Sequence, residues 1–371
     1  MSANITKLQT TCMTLHVFNP EHDIALAQNT INFTAPQAAK CLRKDIGFIA
    51  ALWANDGDYV LVEDTDRAKK AFYQFTCELA ETGIDRTFHG VEFISNDMLH
   101  SLQIDNITTW GWDFAIRNEL MRNGIDSRLL PEPTEVNIIR QLSHRSTAAS
   151  VLKSINLPDT VGIAYTCMTE GEAFGHVSDF GAAVLKAPWS CSGRGLRFVS
   201  PADITPHIVG WVRNIIKNQG CIIIEPHYDR ICDFGMEFRC AEDGKIVYDG
   251  LSVFNTEHGS YTGNIIATEH FKESMLTHYV SKQLLDNIKE MIQFKCGEIY
   301  SGKYCGPFGV DMMIVRENNT GKCKVHPCVE INLRRTMGHV ALSLSQYADN
   351  KTKPLFCIEK DKNYQLKLNF I

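Results

Sequence analysis

Short apolar runs and amphipathic stretches alternate through the first third of the chain. Residues 14–18 form an apolar run of strand length, and similar runs recur at 59–63, 91–95 and 127–130. Between them, residues 36–53, 67–82 and 108–123 place apolar side chains at helical spacing. Strand alternating with helix predicts a small parallel α/β layer, and such sheets bind ligands beyond the C-terminal ends of their strands. The segment N-P-E-H-D follows the first run directly. It reads either as a capped turn or as a substrate-facing loop carrying Glu21, His22 and Asp23.

The segment L-P-E-P-T at 130–134 reads as a linker, after which Thr134 can cap a helix over 135–155 that carries His144 and Arg145. Further helical patterns cover 203–218 and 273–300, and strand patterns cover 221–224 and 234–240. The run K-I-V-Y-D-G-L-S-V-F alternates as a strand and then turns polar and glycine-rich. Asn255, His258, Tyr261 and Asn264 fall in that stretch, a loop expected over a site. The tail Y-Q-L-K-L-N-F-I alternates as an edge strand. The expected division is an N-terminal domain at 1–133 and a second domain at 134–371, split into 134–220 and 221–371.

Three segments carry candidate chemistry. G-P-F-G-V-D-M-M-I-V and V-H-P-C-V-E-I-N-L-R-R read as adjacent strands joined by a hairpin at 317–321. Strand periodicity sends Glu330, Asn332 and Arg334 to one face, with Asp311 on the neighbouring strand. Two carboxylates and an amide oxygen form an all-oxygen set suited to magnesium. Upstream, a strand ends in Lys186 and is followed by a small-residue loop at 190–195. Gly193 and Gly195 there allow backbone N–H groups to converge on an anion, with Ser192 just before them. The third segment is an apolar strand ending at Glu225 and Pro226, whose carbonyl is free to face a purine amino group.

The order of these parts resembles the ATP-grasp superfamily over roughly residues 134–347. The resemblance implies an N-terminal α/β domain of the pre-ATP-grasp kind, followed by an ATP-grasp domain of two α+β subdomains. It implies ATP-dependent ligation of a carboxylate to an amine through an acyl phosphate. Asp311, Glu330 and Asn332 would hold Mg²⁺, with Mn²⁺ as a substitute. Arg145, Lys186, Ser192, Gly193 and Gly195 would meet the phosphates. Glu225, Pro226 and Tyr228 would meet the adenine, and Asp233, with Asp229 as its rival, the ribose. Arg334 or Arg335 would grip the reacting carboxylate, with Lys186 assisting. Glu21, His22, Asn255, His258 and Tyr261 are the candidates for substrate contact. Two alternatives stay open: a small-molecule kinase on the same fold, or a nucleotide-binding protein without ligation.

Composition narrows the partners. The 37 Lys and Arg against 43 Asp and Glu give a charge of −6 with no basic block, which argues against nucleic acid and for a small-molecule partner; carboxylate and amine substrates are what the resemblance implies. The 13 cysteines include no C-x-x-C, and several lie inside apolar runs, as expected of a reducing cytoplasm. No signal-peptide pattern and no membrane-length apolar window occur. Oligomeric state is not fixed by the sequence, and a homodimer is compatible with it.

Overall fold

The computed structural model describes residues 12–84, 86–88, 90–190, 195–257, 260–317, 320–349 and 353–370. The first sheet is parallel, with β1 (Thr14–Val17), β2 (Tyr59–Leu61), β3 (Glu92–Ile94) and β4 (Asn106–Thr109) in the order β3-β2-β1-β4. It is accompanied by α1 (His22–Gln28), α2 (Gln37–Ile46), α3 (Thr65–Glu81) and α4 (Phe114–Arg122). The fourth strand differs from the sequence expectation. Residues 127–129 form a 3₁₀ turn, and the strand lies instead where a helix was expected to begin. The β-branched run Ile107, Thr108 and Thr109 pairs with β1. The helix starts only after Asp113, whose carboxylate accepts from the Ala115 and Ile116 amides.

The second sheet contains β5 (Tyr165–Cys167), β6 (Ala183–Lys186), β7 (Leu196–Val199) and β8 (Ile222–Pro226) in the antiparallel order β5-β8-β6-β7. Before it come α5 (Pro133–Leu142) and α6 (Arg145–Ser154), and α7 (Glu170–Phe180) and α8 (Pro206–Gln219) cover it. The single helix expected over 135–155 breaks at Ser143. Its hydroxyl bonds back to the Ile139 carbonyl, and the extended His144 accepts from the Ser146 amide as a new N-cap. The break sets Arg145 in the first turn of α6, facing the second sheet's loop.

The third sheet is antiparallel throughout. Its strands are β9 (Asp229–Cys240), β10 (Ile246–Glu257), β11 (Ser260–Ile265), β12 (Gly306–Arg316), β13 (Cys323–Asn332), β14 (Pro354–Lys360) and β15 (Tyr364–Phe370), in the order β13-β12-β9-β10-β11-β14-β15. Its helices are α9 (Glu269–Thr277), α10 (Lys282–Tyr300) and α11 (Met337–Ser345). The pattern at 273–300 thus divides into two helices, the second capped by Ser281. Leu285, Ile288, Ile292, Cys296 and Tyr300 form the buried stripe of α10. They pack with Phe234, Met236, Phe238, Phe308, Val310 and Met312 on one face of the sheet. The other face is left for polar residues.

A further apolar cluster joins the first unit to the third sheet. Phe48, Phe75 and Leu79 pack with Val340, Leu344, Phe356 and Leu366. The tail is the edge strand its alternation suggests, and it docks on α2 and α3. At that seam the buried Asp45 pairs with Arg67 and accepts from the Tyr364 amide at 2.9 Å. Asp45→Ala strands both donors. We expect it to cost about 1–3 kcal/mol in urea unfolding. A loss under about 0.5 kcal/mol would mean that apolar contact alone holds the seam.

Candidate active site

Register places the site. Asp311 on β12 lies opposite Glu330 on β13, and Gly309 lies opposite Asn332. On the other side of β12, Gly235 faces Asp311 and Glu237 faces Gly309. Asp311, Glu330, Asn332 and Glu237 therefore line one cleft, of about 250 Å³, on the polar face. Asp23, Arg145, Ser190, Tyr261 and Arg334 line it as well.

Hydrogen bonds tie these groups together. The Asn332 amide donates to Asp311 Oδ2 at 3.0 Å, while its Oδ1 accepts from Arg334 Nη2 at 2.9 Å. Asp23 takes Arg334 Nε and Nη2, the closer contact being 2.8 Å. Burial pushes the Asp23 carboxyl up, but the charge and hydrogen bonds of Arg334 outweigh it and hold the group below its usual range. Arg334 Nη1 also donates to the Arg335 carbonyl. One Nη1 hydrogen is left over, so Arg334 offers a substrate a single donor rather than the expected two-pronged grip. Arg145 donates to Glu330 at 2.6 Å, to Ser190 Oγ at 2.6 Å and to the Ala187 carbonyl.

Lys186 and Glu225 form a buried pair at 2.7 Å, and Lys186 also donates to the Val329 carbonyl at 3.1 Å. Burial pushes the Glu225 carboxyl up, and the adjacent Lys186 opposes that. Neither residue lines the cleft as it stands. Pro226 ends β8, and Tyr228 packs its ring 5.4 Å from the buried His326. Asp233 is held by Arg230 and by Thr256, each at 2.5 Å, whereas its rival Asp229 is exposed. Gly195 is not in a left-handed conformation. Its need for a small residue comes from Ser190, whose Oγ would lie 2.2 Å from an added Cβ. Ser192, Gly193 and His258 fall outside the described residues.

Four further candidates are placed away from the cleft. Arg335 turns aside, its guanidinium 4.5 Å over the Trp53 ring and its amide bonded to the Trp110 carbonyl. β13 ends at Asn332, so strand parity no longer governs it. Glu21 pairs with Arg43 and His22 with Asp113, both within the first unit. Asp23 is the member of N-P-E-H-D that reaches the cleft. Asn255 is exposed on β10 and outside the lining.

Glu237 was not anticipated. It is 2 % exposed and accepts from Thr336 Oγ1 at 2.9 Å. An added Cβ at Gly338 would lie 1.9 Å from its Oε1, and one at Gly309 would lie 2.5 Å from its Oε2. Burial, then the nearby Asp311, pushes its carboxyl up to about 8. The legible signal was an acidic residue amid the apolar run F-G-M-E-F. Asp311 is likewise pushed up to about 7, by burial and then by Glu330.

Among the described residues no three His, Cys, Asp or Glu side chains converge as a metal site. The candidate set is instead two carboxylates and the Asn332 amide oxygen. It fits magnesium on chemical grounds: hard oxygen donors, and facing carboxylates whose repulsion a cation relieves.

Two outcomes test this geometry. Asp23→Asn should free Arg334 and lower turnover by about tenfold with little change in melting temperature; unaltered turnover would make the clamp dispensable. The second concerns Glu237, whose ordinary value is 4.5 and whose folded value is about 8. Between those values the folded state keeps a proton that the unfolded state releases. Its stability contribution is complete below the lower value and is lost as pH rises toward the upper. In EDTA, Glu237→Gln should therefore gain several degrees over wild type on going from about pH 5 to about pH 8. A constant gap would show that Glu237 does not titrate there.

No family model and no curated protein matches the sequence. Solved structures do resemble the fold. The biotin carboxylase domain of Hydrogenobacter thermophilus 2-oxoglutarate carboxylase, in complex with ADP, its magnesium salt and bicarbonate, matches with a TM-score of 0.52 at 10% identity, over 94% of this chain and 74% of that one. Biotin carboxylase from Campylobacter jejuni, in a β-γ-ATP complex, matches with a TM-score of 0.50 at 12% identity, over 95% and 77%. Identities this low speak to fold alone. A parallel α/β unit followed by two antiparallel sheets that frame a carboxylate-lined cleft gives this chain the ATP-grasp fold.

Proposed function

We propose that the protein is an ATP- and magnesium-dependent ligase that joins a carboxylate to an amine or similar nucleophile. The observation that supports this most is the register pair of Asp311 and Glu330, flanked by Asn332, in a cleft that also holds Arg145 and Arg334. Asp311, Glu330 and Asn332 would hold Mg²⁺, which when bound screens the negative charge of the nucleotide phosphates. Arg145 contributes positive charge from the first turn of α6, where it lines the cleft beside Glu330. Lys186, held by Glu225 and the Val329 carbonyl, would have to exchange Glu225 for a phosphate oxygen to contribute its charge. Pro226, Tyr228 and Asp233 stand where β8 passes into β9, which suits them to the base and ribose.

The substrate carboxylate would attack the terminal phosphorus, releasing ADP, and an amine would then displace phosphate from the acyl carbon. The free Nη1 hydrogen of Arg334 can steady the carboxylate oxygen as charge shifts onto phosphate. No nucleophilic side chain is required. In this reading residues 1–133 supply the substrate side and residues 134–371 the nucleotide side. Among the described residues no helix is long and apolar enough to cross a membrane.

The test is ADP release across panels of carboxylates, each with and without amines, with products identified by mass spectrometry. A ligase gives ADP and a condensed product only when both are present; ADP with a phosphorylated product and no amine would indicate a kinase instead. Glu330→Gln should cut turnover by about a hundredfold or more while the fold survives. Asp311→Asn should act alike, and the double variant should lose far less than the two single losses multiplied together, because both serve one site. A Glu330→Gln protein with near wild-type ADP formation would remove the metal assignment.

A further inference from the structure

A second cavity, of about 650 Å³, lies wholly inside the first unit and shares no lining residue with the cleft. It opens beyond the C-terminal ends of the parallel strands, where α/β sheets place ligands. Glu21, just after β1, and Glu63, just after β2, line it, with Asn96 beyond β3 and Asp113 beyond β4. Its size is that of a small-molecule site.

The charges around the cavity are only partly matched from within. Arg43 is spent: Nη1 meets Glu21 Oε1 at 3.1 Å and Glu119 Oε2 at 2.9 Å, and Nη2 meets Glu119 Oε1 at 2.7 Å. The second oxygen of Glu21 has no hydrogen-bond partner, although Glu21 is only 8 % exposed. Glu63 forms no ion pair among the described residues. Neither do Lys40 and Arg122, the two remaining cations of the lining. Unmet groups of both signs thus face one space, with Phe33 and Leu61 as apolar wall. An anion alone would leave the second Glu21 oxygen and Glu63 unmatched, and a cation alone would leave Lys40 and Arg122 unmatched.

The geometry points to a binding site for a small zwitterion of the amino-acid or dipeptide class. Its ammonium meets Glu21 and Glu63, and its carboxylate meets Lys40 and Arg122. The inference does not depend on the ligase reading, because the two cavities have separate walls. They do share one element: Glu21 and Asp23 lie two residues apart at the start of α1, the first on the cavity and the second clamping Arg334. Occupancy of the cavity therefore bears on the side chain that holds Arg334.

Calorimetric titration of the full chain with free L-amino acids and dipeptides, at neutral pH, tests the assignment. At least one should bind with a dissociation constant of about 1 mM or tighter, and its N-acetyl and C-amide forms should each bind about tenfold more weakly. Lys40, Glu63 and Arg122 are exposed, so Lys40→Ala with Arg122→Ala, and separately Glu63→Gln, should weaken binding about tenfold without altering the fold. Affinity for ADP should be unaffected by these changes. No binding from the whole panel at about 10 mM would overturn the proposal. So would binding that survives the blocking of either charge. Binding lost in Glu330→Gln but kept in the Lys40 and Arg122 variant would place the ligand in the cleft and overturn it equally.

Discussion

Two carboxylates set opposite each other on neighbouring strands in a half-buried cleft repel unless something positive comes between them. Asp311 and Glu330 are in that position, and much of the surrounding structure answers to it. Arg145 reaches across from α6 to Glu330, and Asn332 donates to Asp311. Arg334 pulls on Asn332 while Asp23 holds Arg334 from the first unit. Three separate parts of the chain are thereby fastened to one electrostatic problem. Asp311 remains pushed up to about 7 even so, which leaves a cation as the natural completion.

Close approach to that pair is arranged by small residues. Gly235 lies opposite Asp311, and Gly309 and Gly338 leave the space that Glu237 fills. A buried carboxyl pushed up to about 8, beside Asp311, costs stability wherever it ionises. Its retention next to Thr336 is compatible with a role in shaping the cleft floor. Beneath it, the apolar face of the same strands packs on α10, so the polar side is carried by a rigid layer.

Strand periodicity made Asp311, Glu330 and Asn332 legible, because a two-residue repeat fixes which side chains share a face. It stopped serving at Asn332, where β13 ends; Arg334 stays in the cleft through Asp23, and Arg335 leaves it for Trp53. The clamp between Asp23 and Arg334 joins positions 311 residues apart, a contact that no local pattern encodes. Helix breaks at Ser143 and before Ser281 were hidden for a related reason. Apolar spacing runs through both, and only side-chain caps interrupt it. The fourth parallel strand was missed because Ile107, Thr108 and Thr109 are β-branched but adjoin a stronger helical pattern.

We propose that Asp311, Glu330 and Asn332 form a magnesium site that governs nucleotide binding. Calorimetric titration of ADP into the protein, with magnesium and then with EDTA, tests it most directly. Affinity should be at least about tenfold tighter with magnesium, and that difference should be lost in Glu330→Gln. Equal affinity for ADP under both conditions in the wild-type protein would contradict it.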